Sequence, residues 1–310
     1  MGLFYTFLGA IDIGLIWGFL ALGVYITFRL LDIADLTVDG SFATGGAVCA
    51  VCILAGIHPL LAILASIIAG FIAGAITGIL HTKCKIPAIL AGILTQIGLY
   101  SINLRIMGGR ANLPLNKANT LFNNLSHSLN INKYYITFVI ALLFVIVFIT
   151  VLYWFFGTEM GSAIRATGNN EQMARSLGIN TDTMKLLGLM ISNGLVGLSG
   201  GLNALYGQAT DVRVGTGAIV IALASIVIGE VIISGKKSGF AVRLISIVLG
   251  SIIYRIIVAV VLQIGLNTDD LKLLTAILVG IALTIPIMVS KKKQISMYKK
   301  LTEKEMSDHA

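Results

Sequence analysis

Three short patterns in the sequence have residue types that can do chemistry, but each lacks the spacing or setting that this chemistry needs. Gly229 to Lys237, GEVIISGKK, is the nearest approach to a nucleotide phosphate loop, but it has one residue too many between its glycines and a lysine where Ser or Thr should hold magnesium. Gly197 to Gly201, GLSGG, has the letters of a hydrolase nucleophile elbow within an apolar helix pattern. Cys49 and Cys52 form C-x-x-C in an apolar run without a nearby His or acid, which disfavours a metal or redox site.

The sequence therefore predicts no catalytic residue and no metal site. H-E-x-x-H is absent, and the histidines lie far apart in the sequence without a ligand spacing. Three cysteines are too few for a disulfide framework. We expect the chain to be no enzyme and to bind no cofactor, ATP included.

Ionisable and polar residues inside apolar runs are the other candidates, because such groups are costly in a membrane and mark either transport pathways or packing pairs. Arg255 is the most exceptional, in the middle of IVLGSIIYRIIVAVVLQIG, and either lines a pathway or has a structural partner. Glu230 is predicted near a helix end, where it lines a pathway, snorkels or pairs with Lys236. Six residues are predicted to line a translocation pathway: Asp35, Asp39, Ser41, Gln96, Asn103 and Arg255.

The amino-acid composition predicts that membrane-spanning helices hold these residues. Hydrophobic residues make up 57% of the 310 residues, charged residues only 12%, and the mean hydropathy is +0.94. Soluble domains contain about a quarter charged residues, and a spanning helix needs about 20 apolar residues. We therefore predict an all-α, polytopic membrane protein with one helical domain.

Nine apolar runs are long enough to span a bilayer, and we allow eight to ten helices because the second run is short. The amino terminus has no basic residue before its apolar run and no small-residue cleavage site, so we interpret it as the first span. The predicted spans are Leu8–Phe28, Phe42–Ile57, Leu60–Leu80, Ile86–Met107, Tyr134–Phe156, Met184–Leu205, Gly215–Ile233, Phe240–Ile264 and Leu271–Val289.

The distribution of basic residues predicts the orientation. Placing the tail KKKQISMYKK in the cytoplasm also places the basic loops around residues 83–85, 165–175 and 236–237 there, as the positive-inside rule requires. The amino terminus is then outside and the carboxyl terminus inside. We predict a transmembrane domain over residues 1–290 and a basic cytoplasmic tail over 291–310. The net charge of +8 is explained by this pattern, and no basic face with interleaved aromatics indicates nucleic acid.

The polar stretch LDIADLTVDGS before the second run predicts a helix that is broken or begins deep, because irregular backbone in a membrane must be buried in protein or line a wet cavity. DLTVDGSFATGGA at Asp35 resembles DVRVGTGAIVIAL at Asp211, on the opposite predicted side of the membrane. The match indicates either an inverted repeat or chance similarity.

Two rows of glycines predict close helix contacts. Gly70, Gly74 and Gly78 fall at a spacing of four and share one helix face. NGLVGLSGG supplies a second row, with Gly194, Gly197, Gly200 and Gly201. Each row predicts either internal packing between neighbouring helices or, for the first row, a dimer seam.

Gly157 to Leu202 begins with a polar part between two long apolar runs. We predict that residues 157–183 form a cytoplasmic loop, here called the coupling segment. Asn169 or Asn170 is a candidate N-cap and Gly178 a stop for a helix of about two turns. Its Met173, Ala174 and Leu177 are predicted on one side, which either packs back on the helix ends or docks into a groove on another protein.

RATGNNEQMARSLGI followed by LMISNGLVGLSGGL resembles the cytoplasmic coupling loop and following helix of bacterial ABC importer permeases of the branched-chain amino acid and ribose permease superfamily. The first two helices of those permeases are similar in spacing and glycine content to GLIWGFLALGVYITFRLLDIADLTVDGSFATGGA. Within this stretch, the motif DLTVDGSF resembles that of a subgroup found with lipoproteins that bind aromatic amino acids. The resemblance covers essentially the whole chain. The predicted nine spans depart from the ten of sugar-type relatives.

The resemblance implies a coupling helix that contacts a separate ATPase subunit, to which ATP and magnesium bind. It also implies a second copy of the chain, an extracytoplasmic substrate-binding lipoprotein, surrounding lipid and a place in the bacterial cytoplasmic membrane. The function implied is import of a small amino-acid-like solute by alternating access; the alternative class is an ion-driven secondary transporter acting without an ATPase. The implied coupling residues are Gly168, Asn169, Asn170, Met173, Ala174, Leu177, Gly178 and Ile179.

Overall fold

The computed structural model describes residues 2–115, 133–232 and 239–265, with scattered positions between 270 and 284. Ten α-helices and two short strands occur in these residues. The helices are α1 (Gly2–Tyr25, continued by a π-helical turn Ile26–Leu30), α2 (Thr37–Leu54), α3 (Pro59–Thr82), α4 (Ala88–Ile106), α5 (Lys133–Gly157), α6 (Glu159–Asn169), α7 (Glu171–Ser176), α8 (Thr181–Gly207), α9 (Ala218–Ile232) and α10 (Phe240–Gln263). The strands are β1 (Asn112–Pro114) and β2 (Ala209–Asp211).

Seven of the described helices are long and apolar enough to cross a membrane, and α9 is an eighth apolar helix of 15 residues. The predicted all-α polytopic membrane fold is confirmed. The count of nine and the orientation stay predictions, because the run Leu271–Val289 lies largely outside the described residues and the tail 291–310 wholly outside them.

Helix α8 lies at the centre of the bundle, packed against α3, α2 and α1, and α10 packs against α1 and α9 on the other side of α1. The two predicted glycine rows meet between α3 and α8. A Cβ on Gly70 or Gly74 would overlap the Asn193 or Leu189 carbonyl, and a Cβ on Gly197 would overlap the Ser66 carbonyl. We call this contact the glycine seam; its members are Gly70, Gly74, Gly78, Gly194, Gly197, Gly200 and Gly201.

The glycine seam lies within one chain. Gly78 faces Leu186, Gly194 faces the Phe71 ring, and Gly200 and Gly201 approach Phe42 and Ser66. These glycines are covered by neighbouring helices, so none of them offers its backbone to a second copy.

Helices α2 and α9 begin inside the bundle rather than at its surface. Residues 32–36 form no helix, and Asp35 is only 2% exposed. Gly215, just before α9, lies so close to the Asp39 main chain that a Cβ there would overlap the Asp39 carbonyl oxygen. The observed α2 begins at Thr37, before the predicted start at Phe42, and the segment leading into it is buried in protein; its depth in the membrane stays a prediction.

From their adjacent starts, α2 and α9 lead to opposite ends of the molecule. Gly46 of α2 packs beside Thr210 of β2, whereas Glu230 near the end of α9 pairs with Arg29. An inverted repeat produces this arrangement, although the repeat itself stays a prediction.

The paired strands are a feature that the sequence did not predict. β1 pairs antiparallel with β2, with Leu113 opposite Thr210. This ribbon joins the chain after α4 to the chain after α8, two segments that the charge pattern places on the same side. We call this the ribbon end of the bundle, and the end that carries α6 and α7 the coupling end.

Candidate functional site

The coupling segment consists of two short helices held by side-chain caps. Thr158 caps α6 by accepting from the Gly161 N–H at 3.4 Å, and Asn170 caps α7 by accepting from the Met173 N–H at 2.9 Å. Of the two candidate caps, Asn169 and Asn170, the structure therefore assigns the role to Asn170.

Gly178 ends α7 with a φ of +83°, a conformation that favours glycine. The Ile179 N–H donates to the Ala174 carbonyl and the Gly178 N–H to the Arg175 carbonyl, both at 3.0 Å. This pair of bonds is a Schellman motif, which satisfies the last carbonyls of the helix and turns Ile179 back toward Ala174.

Glycines bring α6 directly onto the ends of two long helices. A Cβ on Gly161 would overlap the Phe155 carbonyl of α5, and a Cβ on Gly168 would overlap the Leu30 carbonyl at the end of α1. Gly168 is therefore needed for a contact within the chain. The Arg165 guanidinium adds a hydrogen bond to the Phe156 carbonyl at 2.9 Å.

A group of charged side chains ties α7 to the start of α8. Glu171 accepts from Lys185 at 2.7 Å and from Arg175 at 2.9 Å, and Asp182 accepts from Arg175 at 3.0 Å and from Lys85 at 3.2 Å. The hydrogen bond from Lys185, together with the nearby positive charges, lowers the pKa of Glu171 below its ordinary value. The coupling segment is thus braced in one conformation.

The face that α7 presents to solvent differs from the predicted one. Met173 is 45% and Leu177 70% exposed, but Ala174 is fully buried, with Ile179 half-buried beside it. The reason is tertiary packing: helical geometry alone lets residues 173, 174 and 177 share one side, but α7 packs against α6 and α8 and buries Ala174 in that contact. Asn169, Asn170 and Gly178 are exposed with the two apolar side chains.

A cavity of about 410 Å³ lies where α2 and α9 begin, toward the ribbon end. We call it the ribbon-end cavity. Three of the six predicted pathway residues line it, Asp39, Gln96 and Asn103. The other lining residues are Gly40, Ile97, Tyr100, Ser101, Val212, Arg213 and Thr216.

Asp39 joins this cavity to the backbone of α9. Its two carboxylate oxygens accept from the Gly217 N–H at 2.8 Å and the Ile219 N–H at 3.0 Å. The carboxylate thereby satisfies otherwise free amides at the amino terminus of α9, where the helix dipole also favours a negative charge.

Asn103 is a buried polar group of the cavity with unused hydrogen-bonding capacity. It is 1% exposed, and within the described part of the chain neither its amide nitrogen nor its amide oxygen has a partner. Arg213 brings a positive charge to the same cavity and Tyr100 an aromatic ring. The cavity therefore offers groups of both charges, a free amide and an aromatic surface to a small solute.

Two more predicted pathway residues lie in a buried cluster instead. Asp35 accepts from the Asn193 amide at 2.7 Å and from the Thr37 N–H at 2.9 Å. Ser41 donates to the Asn193 side-chain oxygen at 2.6 Å. All three side chains are at most 2% exposed, so this cluster ties the start of α2 to the middle of α8.

Arg255 is separate from both groups. Its guanidinium lies 3.9 Å from the centre of the Trp17 ring, and the Trp17 indole donates to the Asn203 oxygen at 3.2 Å. This is a cation–π contact between α10 and α1. Glu230 pairs with Arg29; Lys236, its predicted partner, lies outside the described residues.

Sequence reasoning missed Arg213, Tyr100 and Asn193. Asn193 carried a usable signal, since it is an amide within an apolar helix. Arg213 lies in a loop whose fold back toward α2 is visible only in the structure. No group of three or more His, Cys, Asp or Glu in the described residues is placed to hold a metal.

Comparison with known proteins extends these observations. A family model described as branched-chain amino acid transport system / permease component matches residues 7–285. The tyrosine transport system permease protein of Clostridioides difficile (strain R20291) is 42% identical over 265 residues, which cover 86% of this chain and 86% of that protein. The ribose import permease protein RbsC of Escherichia coli (strain K12) is 25% identical over 261 residues, covering 84% of this chain and 78% of that protein.

Proposed function

The chain belongs to the family of permease components of branched-chain amino acid transport systems, and on that premise we propose that it imports a small amino-acid-like solute by alternating access, driven by a separate ATPase subunit. It is a multi-pass permease component of a bacterial ATP-binding-cassette system. The proposed assembly contains two copies of the chain, two ATPase subunits and an extracytoplasmic lipoprotein that delivers the solute.

The exposed apolar pair Met173 and Leu177 is the observation that carries this proposal. The pair lies on a helix outside the apolar spans, and that helix is capped at both ends and braced by ion pairs. A rigid helix with an apolar face in water suits docking into a groove on a partner protein. We assign that groove to the ATPase subunit.

The structure offers a short route from the coupling segment to the ribbon-end cavity. Gly168 of α6 touches Leu30 and Leu31, and residues 32–36 follow without helical structure. Asp39, a few residues on, lines the cavity and caps α9. Rocking α6 would therefore move the start of α2 and, through Asp39, the start of α9, which is the rigid-body movement that alternating access requires.

The chemistry of the ribbon-end cavity supports the proposed solute class. Asp39 and Arg213 place opposite charges on the lining, as a zwitterion requires, and Tyr100 offers an aromatic surface for a side chain. The printed name of the Clostridioides difficile relative includes tyrosine transport, and an aromatic amino acid fits these groups.

The test is Leu177→Asp in the assembled complex, reconstituted in proteoliposomes with its ATPase subunit and lipoprotein. A buried leucine is worth about 1.5–3 kcal/mol, so we expect the ATPase subunit to bind roughly ten-fold or more weakly. Co-purification of the ATPase and solute-dependent ATP hydrolysis measure the effect.

Ile57→Asp is the matched control, because Ile57 is an exposed apolar residue at the far end of the bundle. It makes the same chemical change without touching α7 and is expected to leave ATPase co-purification unchanged. Normal ATPase binding and coupling in Leu177→Asp would contradict the docking assignment. Transport by the purified chain with an ion gradient and no ATPase would instead support the secondary-transporter alternative.

A further inference from the structure

A second cavity, of about 440 Å³, lies at the coupling end between the π-helical turn of α1, α9 and α10. We call it the arginine cavity. Its polar lining carries the guanidinium groups of Arg29 and Arg243, the Tyr25 and Ser246 hydroxyls, and the Glu230 carboxylate. Neither the family match nor the transport cycle proposed above assigns this cavity a role.

The charge of the arginine cavity is positive. Glu230 is paired with Arg29, so these two charges compensate each other. Within the described part of the chain, Arg243 has no carboxylate at ion-pair distance. One guanidinium, exposed toward the cavity and beside the Tyr25 hydroxyl, is left for an anion.

Aromatic residues place this guanidinium at the level of lipid headgroups. Tyr153 and Trp154, in the last turns of α5, are 54% and 71% exposed, and such rings are enriched at the membrane–water interface. The Phe156 ring packs against Phe240, the first residue of α10, with centroids 5.4 Å apart. Arg243 lies one helical turn further along α10, near the same level.

The surface around the arginine cavity is apolar. Val231 and Ile232 end α9, and Val242 and Ile245 lie on α10 next to Arg243; all four side chains are exposed. In a membrane this surface contacts acyl chains. An occupant that matches both the uncompensated guanidinium and the apolar flank has an anionic head and hydrocarbon chains.

We propose that the arginine cavity binds the phosphate headgroup of an anionic phospholipid, whose acyl chains lie along α9 and α10. Arg243 is the main phosphate ligand, since a guanidinium can donate two parallel hydrogen bonds to phosphate oxygens. The Tyr25 hydroxyl, beside Arg243, keeps its own proton to donate a further bond, whereas the Ser246 hydroxyl donates to the Arg243 carbonyl at 2.7 Å and holds the local turn of α10. Basic pockets between spanning helices on the cytoplasmic side bind such headgroups in other membrane proteins.

The test is native mass spectrometry of the full-length chain in detergent, titrated with phosphatidylglycerol or phosphatidylcholine. We expect phosphatidylglycerol to bind more tightly, and Arg243→Gln to weaken its binding about fivefold or more, from about 1 kcal/mol for each basic residue near a headgroup. Arg243→Lys keeps the charge and is expected to bind more tightly than Arg243→Gln.

Lys83→Gln is the matched control, since Lys83 is an exposed basic residue at the same end of the bundle and outside the cavity. It is expected to bind phosphatidylglycerol like the unmodified chain. Equal affinity of Arg243→Gln and the unmodified chain would overturn the proposal. Two other results would also overturn it: displacement of the lipid by equimolar inorganic phosphate, which indicates a site for the free anion, and loss of ATPase-subunit binding in Arg243→Gln without loss of lipid binding, which indicates a protein interface.

Discussion

The glycine seam and the coupling segment are both regular helical structure, but different forces hold them. In the seam, α3 and α8 approach until the main chains at Gly70, Gly74 and Gly197 meet carbonyl groups of the facing helix. In the coupling segment, caps and ion pairs position α7, and its apolar side chains Met173 and Leu177 are exposed.

The difference follows from the two solvents. Lipid gives apolar helices no hydrophobic reason to associate, so close backbone packing must supply the attraction. Water solvates the charged and polar groups of a capped helix, but exposing an apolar face to water is unfavourable. The seam is therefore a contact complete within the chain, whereas the coupling segment is a braced surface with an exposed apolar face.

The largest effect that would distinguish the two regions is expected in the seam. Gly70→Leu would drive a side chain into the Asn193 carbonyl, and overpacking of this kind costs about 3 kcal/mol or more. We expect a much lower melting temperature by fluorescence-detected size exclusion. Gly98→Leu is the control, because no atom lies within 4 Å of a Cβ there; equal melting of the two variants would mean that the seam is not tightly packed.

A smaller effect is expected at the junction of α2 and α9, outside both regions. Asp39→Asn leaves one acceptor for the two amides that Asp39 satisfies, which costs about 1–2 kcal/mol and loosens the start of α9. Both the melting temperature and solute transport should fall.

Asp32→Asn is the matched control for this junction. Asp32 is exposed and has a φ of +55°, which asparagine tolerates. If the two variants transport equally well, Asp39 does not connect α2 to α9 in the way described.

The smallest effect is expected in the coupling segment, from pH. The Glu171 pKa is lowered in the folded chain from its ordinary value of 4.5, so its stabilisation is complete above that value and is lost as the pH falls through the lowered folded pKa. Hydrogen-exchange protection of the α7 amides should fall over that range, while protection in α3 and α8 persists.

Glu171→Gln, which has no such charge to lose, should have lower α7 protection at neutral pH and a smaller acid-dependent step, because Asp182 still pairs with Arg175 and titrates in the acid range. Because the ion pairs are partly exposed, the difference at neutral pH should be only about 0.5 kcal/mol. An unchanged acid step in Glu171→Gln would assign the pH response to another group.

The sequence predicted the local features of both regions but not how the coupling segment packs. The rows at spacing four indicated that Gly70, Gly74 and Gly78 share a helix face, and the cap and stop residues indicated a two-turn helix ending at Gly178. Both are local properties of consecutive residues. The buried position of Ala174 was not predicted, because it depends on how α7 packs against α6 and α8.

The candidate pathway shows the same limit. Six polar residues in apolar runs were singled out by one criterion, the cost of burying them. The structure places Asp39, Gln96 and Asn103 at one cavity, Asp35 and Ser41 at the Asn193 cluster, and Arg255 on Trp17. The free-energy cost of burying a polar side chain indicates that it has a compensating partner, but the cost does not identify that partner.

By itself, the sequence determined the membrane class and the two-turn helix of the coupling segment, because hydropathy and helix capping act within a few consecutive residues. The tertiary structure alone decided that α2 and α9 begin side by side, that Asp39 caps a helix about 180 residues away, and that Arg29 meets Glu230 beside Arg243. These contacts join distant parts of the chain. They arise only when packing around α8 and α1 brings the irregular segments before α2 and α9 to the same depth.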